Sequence, residues 1–370
     1  MRILSLNPTE RDEAGGAAGA TIRLNAHLRE LGHEVDELFY ADLVGIRNKS
    51  LGLDLMPATA ARSLRRTARR YDVIDAVGHS GALLFRVLGK HRPLCIARTA
   101  GLEHTDYIEE RRSADADGRR ISLKTRLHHG VLRLRSVESA VRAADGFVAP
   151  LAGDADFVVR QGWKTSDQVI ATGWGTTPEA LRARRSRSQP WRGRLIWCGT
   201  LIERKGWSDF ARAFETAWAE LGLTLDILGS RLPIDAPLPG ISQASRARIQ
   251  VHPLLDRARQ FEIMAAGDLF VSTSVSEGWH FALQEAMAIG LPCAATRTGL
   301  LLEIPNWHEM VFPLPKRAAA GVADVFRQAA DDPSAFAERA ERARQRQRSL
   351  TWAYVAAKTA EWMSHRLRST

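Results

Sequence analysis

SEGWHFALQEAMAIGLP, residues Ser276 to Pro292, is the stretch from which the fold of this 370-residue chain is read. A strand-like apolar run, Leu269 to Ser272, stands just before it. Glu277, Gly278 and Trp279 therefore fall on a loop past a strand end, and the spacing predicts a helix over Phe281 to Ile289. A helix starting there presents unpaired backbone N–H groups and the positive end of its dipole, which suits an anion, and Gly278 permits close approach of a diphosphate. Glu277 and Glu285 stand eight apart, one on the loop and one two turns into the helix, so they reach different parts of an extended ligand. Carboxylates accept hydrogen bonds from hydroxyls. Two glutamates at this distance also suit a solvated helix, so the spacing alone does not decide.

On both sides of this block, short apolar runs alternate with helix-length segments. The first series is Ile3 to Leu6, Val35 to Phe39, Val73 to Val77, Leu94 to Ala97, Gly146 to Ala149 and Val169 to Thr172. The second is Leu195 to Cys198, Leu225 to Leu228, Ile249 to Val251, Leu269 to Ser272 and Pro292 to Thr296. Such alternation predicts an α/β chain with two doubly wound, Rossmann-like domains of mostly parallel sheet. The expected domains are 1–178 and 194–349. Residues 179–193 are the expected linker, because Ala180 to Gly193 carries arginine, serine and proline with little apolar periodicity. The tail 350–370 reads as a helix with Trp352, Val355, Ala356 and Trp362 as a packed stripe, finishing the second domain or crossing back to the first. In paired open sheets the ligand belongs at the carboxyl ends of the strands, here in the cleft between domains.

Composition narrows the class. With 45% hydrophobic and 25% charged residues the chain is ordinary for a globular protein of two domains. Cys95, Cys198 and Cys293 lie in apolar runs at no paired or metal-ligand spacing, which points to small core residues in a reducing compartment. MRILSLNP leads into no long apolar region, and no run of about 18 apolar residues occurs, so a cytoplasmic protein is expected, at most peripheral on the cytosolic face of a membrane. The formal net charge of +10 favours anionic partners. Nucleic acid, an anionic lipid surface and a polyphosphate ligand all satisfy that. No zinc-finger spacing, RNP-type aromatic motif or aromatic-rich basic stripe occurs, so no nucleic-acid partner is expected.

Two further segments carry candidate chemistry. CGTLIERKG, Cys198 to Gly206, follows the first strand of the second domain, where Arg204 and Lys205 can clamp a diphosphate leaving group. Gly15 and Gly16 lie in the loop after the first strand. Their spacing is not the G-x-G-x-x-G of a dinucleotide site, which argues against a dehydrogenase.

The block Ser276 to Pro292 resembles the signature of retaining glycosyltransferases of the large family 4 (glycosyl transferases group 1), approximately E-G-F-G-x-x-x-x-E-A-M-A-x-G-x-P. Glu277, Gly278, Glu285, Ala286, Met287, Ala288, Gly290 and Pro292 match it, and Trp279-His280 stands where Phe-Gly is common. Cys198 to Gly206 is similar to the family's G-R-x-x-x-x-K-G and G-T-x-x-x-R-K variants, with Thr200 where many members have arginine. ARTAGLEH, Ala97 to His104, resembles the family's H-G-x-E segment with Ala100 in place of the usual histidine, which makes His104 or His79 the candidate substitute. TGWG, Thr172 to Gly175, matches the family's N-G-V-D poorly and carries no function. TWAYVAAKTAEWM, Thr351 to Met363, resembles the family's terminal tryptophan-containing helix.

The resemblance implies a GT-B architecture and metal-independent, retaining transfer of a sugar from a nucleoside diphosphate sugar, used as co-substrate, to an acceptor hydroxyl. It implies Arg204, Lys205, Glu277 and His104 in catalysis, with Glu277 on the transferred sugar. It implies Gly15, Gly16, Gly199, Gly278, Trp279, His280, Phe281 and Glu285 around the donor, with Glu285 on the ribose. Two D-x-D triplets, Asp115 to Asp117 and Asp154 to Asp156, lie in helix-like or loop contexts, so no metal role is assigned. Acceptor contacts are expected within Thr105 to His129, and the basic surface including Arg62 to Arg70 is the candidate contact with an anionic membrane. The competing readings are a two-domain epimerase or phosphorylase, and a non-catalytic protein that binds sugar nucleotides.

Overall fold

The computed structural model describes residues 1–13, 15–44, 49–89, 92–116, 118–186, 190–253 and 255–369. Asp117 and residues 187–189 of the arginine-rich stretch lie outside them. The chain divides into two compact units, Met1–Gly175 with Trp352–Thr370, and Thr176–Thr351.

The first unit is built on β1 (Arg2–Leu6), β2 (Glu34–Leu38), β3 (Val73–Val77), β4 (Leu94–Arg98), β5 (Gly146–Ala149) and β6 (Val169–Ala171). The second carries β7 (Arg194–Cys198), β8 (Thr224–Leu228), β9 (Ile249–His252), β10 (Leu269–Ser272), β11 (Cys293–Ala295) and β12 (Phe312–Pro313). Every run expected as a strand is one. β12, the strand not foreseen, is two residues long, ends in proline and lies at a sheet edge, where a missing N–H is tolerated.

Both sheets are parallel throughout, in the orders β2-β1-β3-β4-β5-β6 and β12-β11-β10-β7-β8-β9. Helices on both faces explain why β3, β4 and β10 are buried along their whole length and read as unbroken apolar runs. In the second sheet the chain runs from β7 to β9 in one direction and from β10 to β12 in the other. The reversal falls between β7 and β10, which pair through Leu195 with Leu269 and Ile196 with Phe270. The loops after β7 and β10 therefore lie side by side, at the point where open α/β sheets receive their ligands.

The stretch expected as a linker is instead folded into the second unit. Pro178–Arg182 is a helix, and Arg185 is buried with its guanidinium on the Asp268 carboxylate (3.2 Å) and the Gly267 carbonyl (2.8 Å). Asp268 also accepts the backbone N–H groups of Arg192 and Arg194. A buried arginine–aspartate pair leaves no apolar periodicity, so the segment read as a connector.

The helix Trp352–Ser369 belongs to the first unit. Trp352 packs on Trp174 with ring centroids 5.9 Å apart, and a Cβ on Gly175 would lie 2.5 Å from the Trp352 ring. The glycine of the TGWG run is thus required by a tryptophan 177 positions later in the chain. Lys358 Nζ donates to the Ala171 carbonyl at 2.8 Å, and Arg366 bonds Asp167 at 3.0 Å.

Candidate functional site

The loop after β7 is held against the loop after β10 by backbone contacts that only certain residues permit. Gly206 has φ 71°, and a Cβ there would meet the Thr273 carbonyl oxygen at 2.0 Å, so glycine alone lets the strands' loops approach this closely. Thr273 Oγ1 donates to the Gly206 carbonyl at 2.7 Å, and the Val275 N–H donates to the Arg204 carbonyl at 2.9 Å. Arg204 Nη1 donates to the Ser276 carbonyl at 3.0 Å. Gly199, at φ 132°, takes a backbone conformation that favours glycine, and the Lys205 stem lies within van der Waals reach of it, with Cε 3.6 Å from where a Cβ would stand.

The result is a charged cluster at the carboxyl end of the sheet. Lys205 Nζ donates to Glu277 Oε1 at 2.6 Å, Ser274 Oγ donates to the same oxygen at 2.7 Å, and Arg204 Nη1 stands 3.6 Å from Glu277 Oε2. His280 Nε2 lies 2.9 Å from Ser272 Oγ and 3.4 Å from Glu277 Oε1. Burial pushes the Glu277 carboxyl up, but the charges of His280, Lys205 and Arg204 together bring it down to about 2. Burial lowers His280 to about 4, so at neutral pH its imidazole is uncharged and the lysine and arginine balance Glu277. Glu277 is thus an ionised acceptor, suited to hydroxyl groups and not to proton donation.

The Trp279-His280 departure from the family pattern has a physical account. His280 occupies the left-handed region (φ 69°, ψ 58°) that precedes the helix Phe281–Ile289, which is why glycine suits this position elsewhere. Trp279 turns into the unit's interior, its indole donating to Gln284 Oε1 at 3.0 Å. Gln284 in turn donates to Thr176 Oγ1, and Thr176 to Gln347 Oε1, a buried polar chain across the unit. Trp279 therefore packs and anchors within the unit. Gly278 and Phe281 are half-buried at the mouth of the helix, whose N-cap residue His280 makes no side-chain capping bond, and the positive end of its dipole favours an anion placed beside it.

Glu285 is buried on that helix and paired with the Arg257 guanidinium, with Thr177 Oγ1 donating to it at 3.4 Å. Arg257 was not foreseen, nor were Ser272 and Ser274. The serines stand in a run, STSVSEG, that signals a polar strand end. Arg257 has no local signal, because it reaches Glu285 across 28 positions.

The remaining candidates lie in the first unit. Gly15 and Gly16 open the helix Gly16–Glu30 after β1, Gly15 in extended conformation. His104, expected as a catalytic histidine, has its ring edge-on to Trp163 at 4.8 Å and 6.0 Å from Phe157, and burial lowers its pKa. His79 is buried, with Nε2 at 2.7 Å from the Leu53 carbonyl. Asp154 accepts from the Leu102 N–H at 3.0 Å and from Thr105 Oγ1 at 2.8 Å, a brace between segments. Among the described residues no group of three or more His, Cys, Asp or Glu is placed to hold a metal ion.

The two buried histidines set an acid limit on the fold. His79 and His280 both have folded pKa values near 4, below the ordinary 6.5, so between these values the unfolded chain binds more protons. Stability is therefore complete above pH 6.5 and falls as pH drops toward 4, at up to about 1.4 kcal/mol per pH unit for each imidazole. Thermal midpoints measured from pH 7 to 4.5 should show that decline, and His280→Gly should flatten it. An unchanged slope in the variant would contradict the buried neutral imidazole.

Comparison with known proteins bears on residues 192–343, which match the family described as Glycosyl transferases group 1. A glycogen synthase of Mycobacterium tuberculosis is 32% identical over 200 residues, covering 52% of this chain and 47% of that protein. The chain thus spans about half the length of the curated relatives it matches. Among solved structures, sucrose-phosphate synthase from Thermosynechococcus elongatus superposes with a TM-score of 0.75 at 15% identity, covering 100% of both chains. Anabaena HepE, solved in complex with UDP and glucose, gives 0.69 at 16% identity, covering 99% of this chain and 100% of that one. At these identities the structural likeness establishes the fold.

Proposed function

We propose that this chain, whose residues 192–343 match the group 1 glycosyltransferases, moves a sugar from a nucleoside diphosphate sugar to an acceptor hydroxyl. The observation that carries this reading is the buried Glu277 carboxylate held by Lys205 at 2.6 Å, at the sheet's switch point and beside the start of the helix Phe281–Ile289. Charge develops on the diphosphate as the glycosidic bond breaks. Lys205, Arg204 and the helix dipole meet that charge, and an ammonium has three N–H donors, of which Glu277 occupies one. Glu277 accepts hydrogen bonds from the transferred sugar, and Glu285, set in place by Arg257, accepts from the ribose.

The reaction we infer is retaining and independent of a metal ion. The two cations supply the neutralisation that a divalent ion would otherwise provide, and a leaving-group oxygen takes the acceptor proton. This retaining reading needs no pair of carboxylates flanking the bond of the kind hydrolases use; Glu285, the other acidic candidate, is engaged by Arg257.

A thermal-shift panel of UDP-, GDP-, ADP- and dTDP-sugars tests the donor site. HepE was solved with UDP, which makes the UDP-sugars the first candidates. One nucleotide class should raise the midpoint in proportion to its saturation, by an amount set by the ratio of its concentration to Kd. No response to any nucleotide would remove the donor site and the function with it.

A further inference from the structure

We propose that residues 119–135 of the first unit form a docking surface for an anionic lipid membrane. The inference goes beyond the transferase reading and does not depend on it. The helix Leu123–Leu127 runs directly into a π-helical segment, His128–Arg133, and neither contains a buried residue. Leu123, Leu127 and Leu132 are 69%, 55% and 64% exposed. Leu123 and Leu127 are four apart on an α-helix, and Leu132 follows five later through an i→i+5 turn, so the three share one side.

Along the segment itself the charge has one sign. From Gly118 to Ser136 the sequence contains Arg119, Arg120, Lys124, Arg126, Arg133 and Arg135 and no acidic residue. All but Arg133 are exposed. Arg133 instead fixes the segment from beneath, with Nε 3.0 Å from Glu103 Oε2, while a Cβ on Gly130 would meet the Tyr107 hydroxyl at 2.4 Å. His128 Nε2 bonds Asp54 at 2.9 Å, on a helix where Leu51 and Leu55 are themselves exposed. The leucines are thus presented on a braced platform.

Exposed leucines ringed by cations suit the headgroup boundary of an anionic bilayer, where apolar side chains enter and basic ones meet phosphate. A second copy of this face would set like charges against each other, and nucleic acid offers nothing to the leucines. The arginines of 62–70, by contrast, surround no exposed large apolar side chain, since Leu64 and Ala68 point inward. Their charge has no anchor.

Cosedimentation with vesicles of phosphatidylcholine alone, or with about a third phosphatidylglycerol, tests the surface at low and high salt. The protein should bind the anionic vesicles, less so as salt rises. Leu123→Ser, Leu127→Ser and Leu132→Ser together should weaken binding about tenfold or more. Lys124→Glu with Arg126→Glu, at exposed positions that leave the fold intact, should do likewise. Serine at Arg62, Arg65, Arg66 and Arg69 should leave binding unchanged, and all variants should keep the parent's thermal midpoint. Failure of the parent to bind, full binding by the leucine variant, or loss of binding in the 62–69 variant would each overturn the proposal. So would a dimer in solution that the leucine changes dissociate without any vesicle binding.

Discussion

Replacing Lys205 by alanine should lower turnover about 10²- to 10³-fold, the usual cost of removing one donor aimed at a developing anion. The same change also removes the closest partner of a buried carboxylate. Glu277 would keep Ser274 and His280, with Arg204 near enough at 3.6 Å to swing closer. A moderate loss of stability, about 1–3 kcal/mol, therefore accompanies the kinetic loss. The two effects separate in the double variant Lys205→Ala, Glu277→Gln. Neutralising the carboxyl should restore most of the thermal midpoint, whereas activity should stay low because the cation is still missing. Turnover equal to the parent's in Lys205→Ala would remove Lys205 from the site. Recovery of activity in the double variant would show that the single change acted through folding alone.

The second large effect lies in the first unit. Arg98 of β4 and Asp75 of β3 form a bidentate pair, Nε to both carboxylate oxygens at 3.0 and 2.9 Å and Nη2 to Oδ2 at 2.8 Å. Their side chains are only 2% and 4% exposed. Arg98→Ala would strand a buried carboxylate and should destabilise the first unit by about 3–5 kcal/mol, read as a lower urea midpoint. The pair is incompletely compensated, because Arg98 Nη1 is buried with no hydrogen-bond partner among the described residues. Replacing both residues with apolar ones, Asp75→Leu with Arg98→Met, should then recover most of the loss. A double variant as unstable as the single would mean that the arginine's packing, including its guanidinium 5.7 Å from the Trp174 ring, matters more than its charge.

Much of this could be read before any coordinates, and what could be read shares a cause. Hydrophobic periodicity is local, so eleven strands and the helix Phe281–Ile289 were legible from runs of a few residues. Loops that follow strands inherit their position, which placed Glu277 and Lys205 at the same end of one sheet. What local patterns do not record falls where a polar group is buried by a distant partner. Arg185 looked like part of a linker because Asp268, which buries it, is 83 positions away. The inward turn of Trp279 likewise has no local signal, because the polar chain it joins runs through Gln284 to Thr176 and Gln347.

The sequence by itself determined the α/β alternation, the two sheets, and which loops carry the carboxylate and the cations, because those depend on patterns within about ten residues. Only the tertiary structure decided which charges meet. It joined Lys205 to Glu277 and Arg257 to Glu285, packed His104 against Trp163, and gathered exposed leucines onto a basic platform. A buried ion pair or an uncovered face is set by segments that approach through the fold, and no local periodicity records that approach.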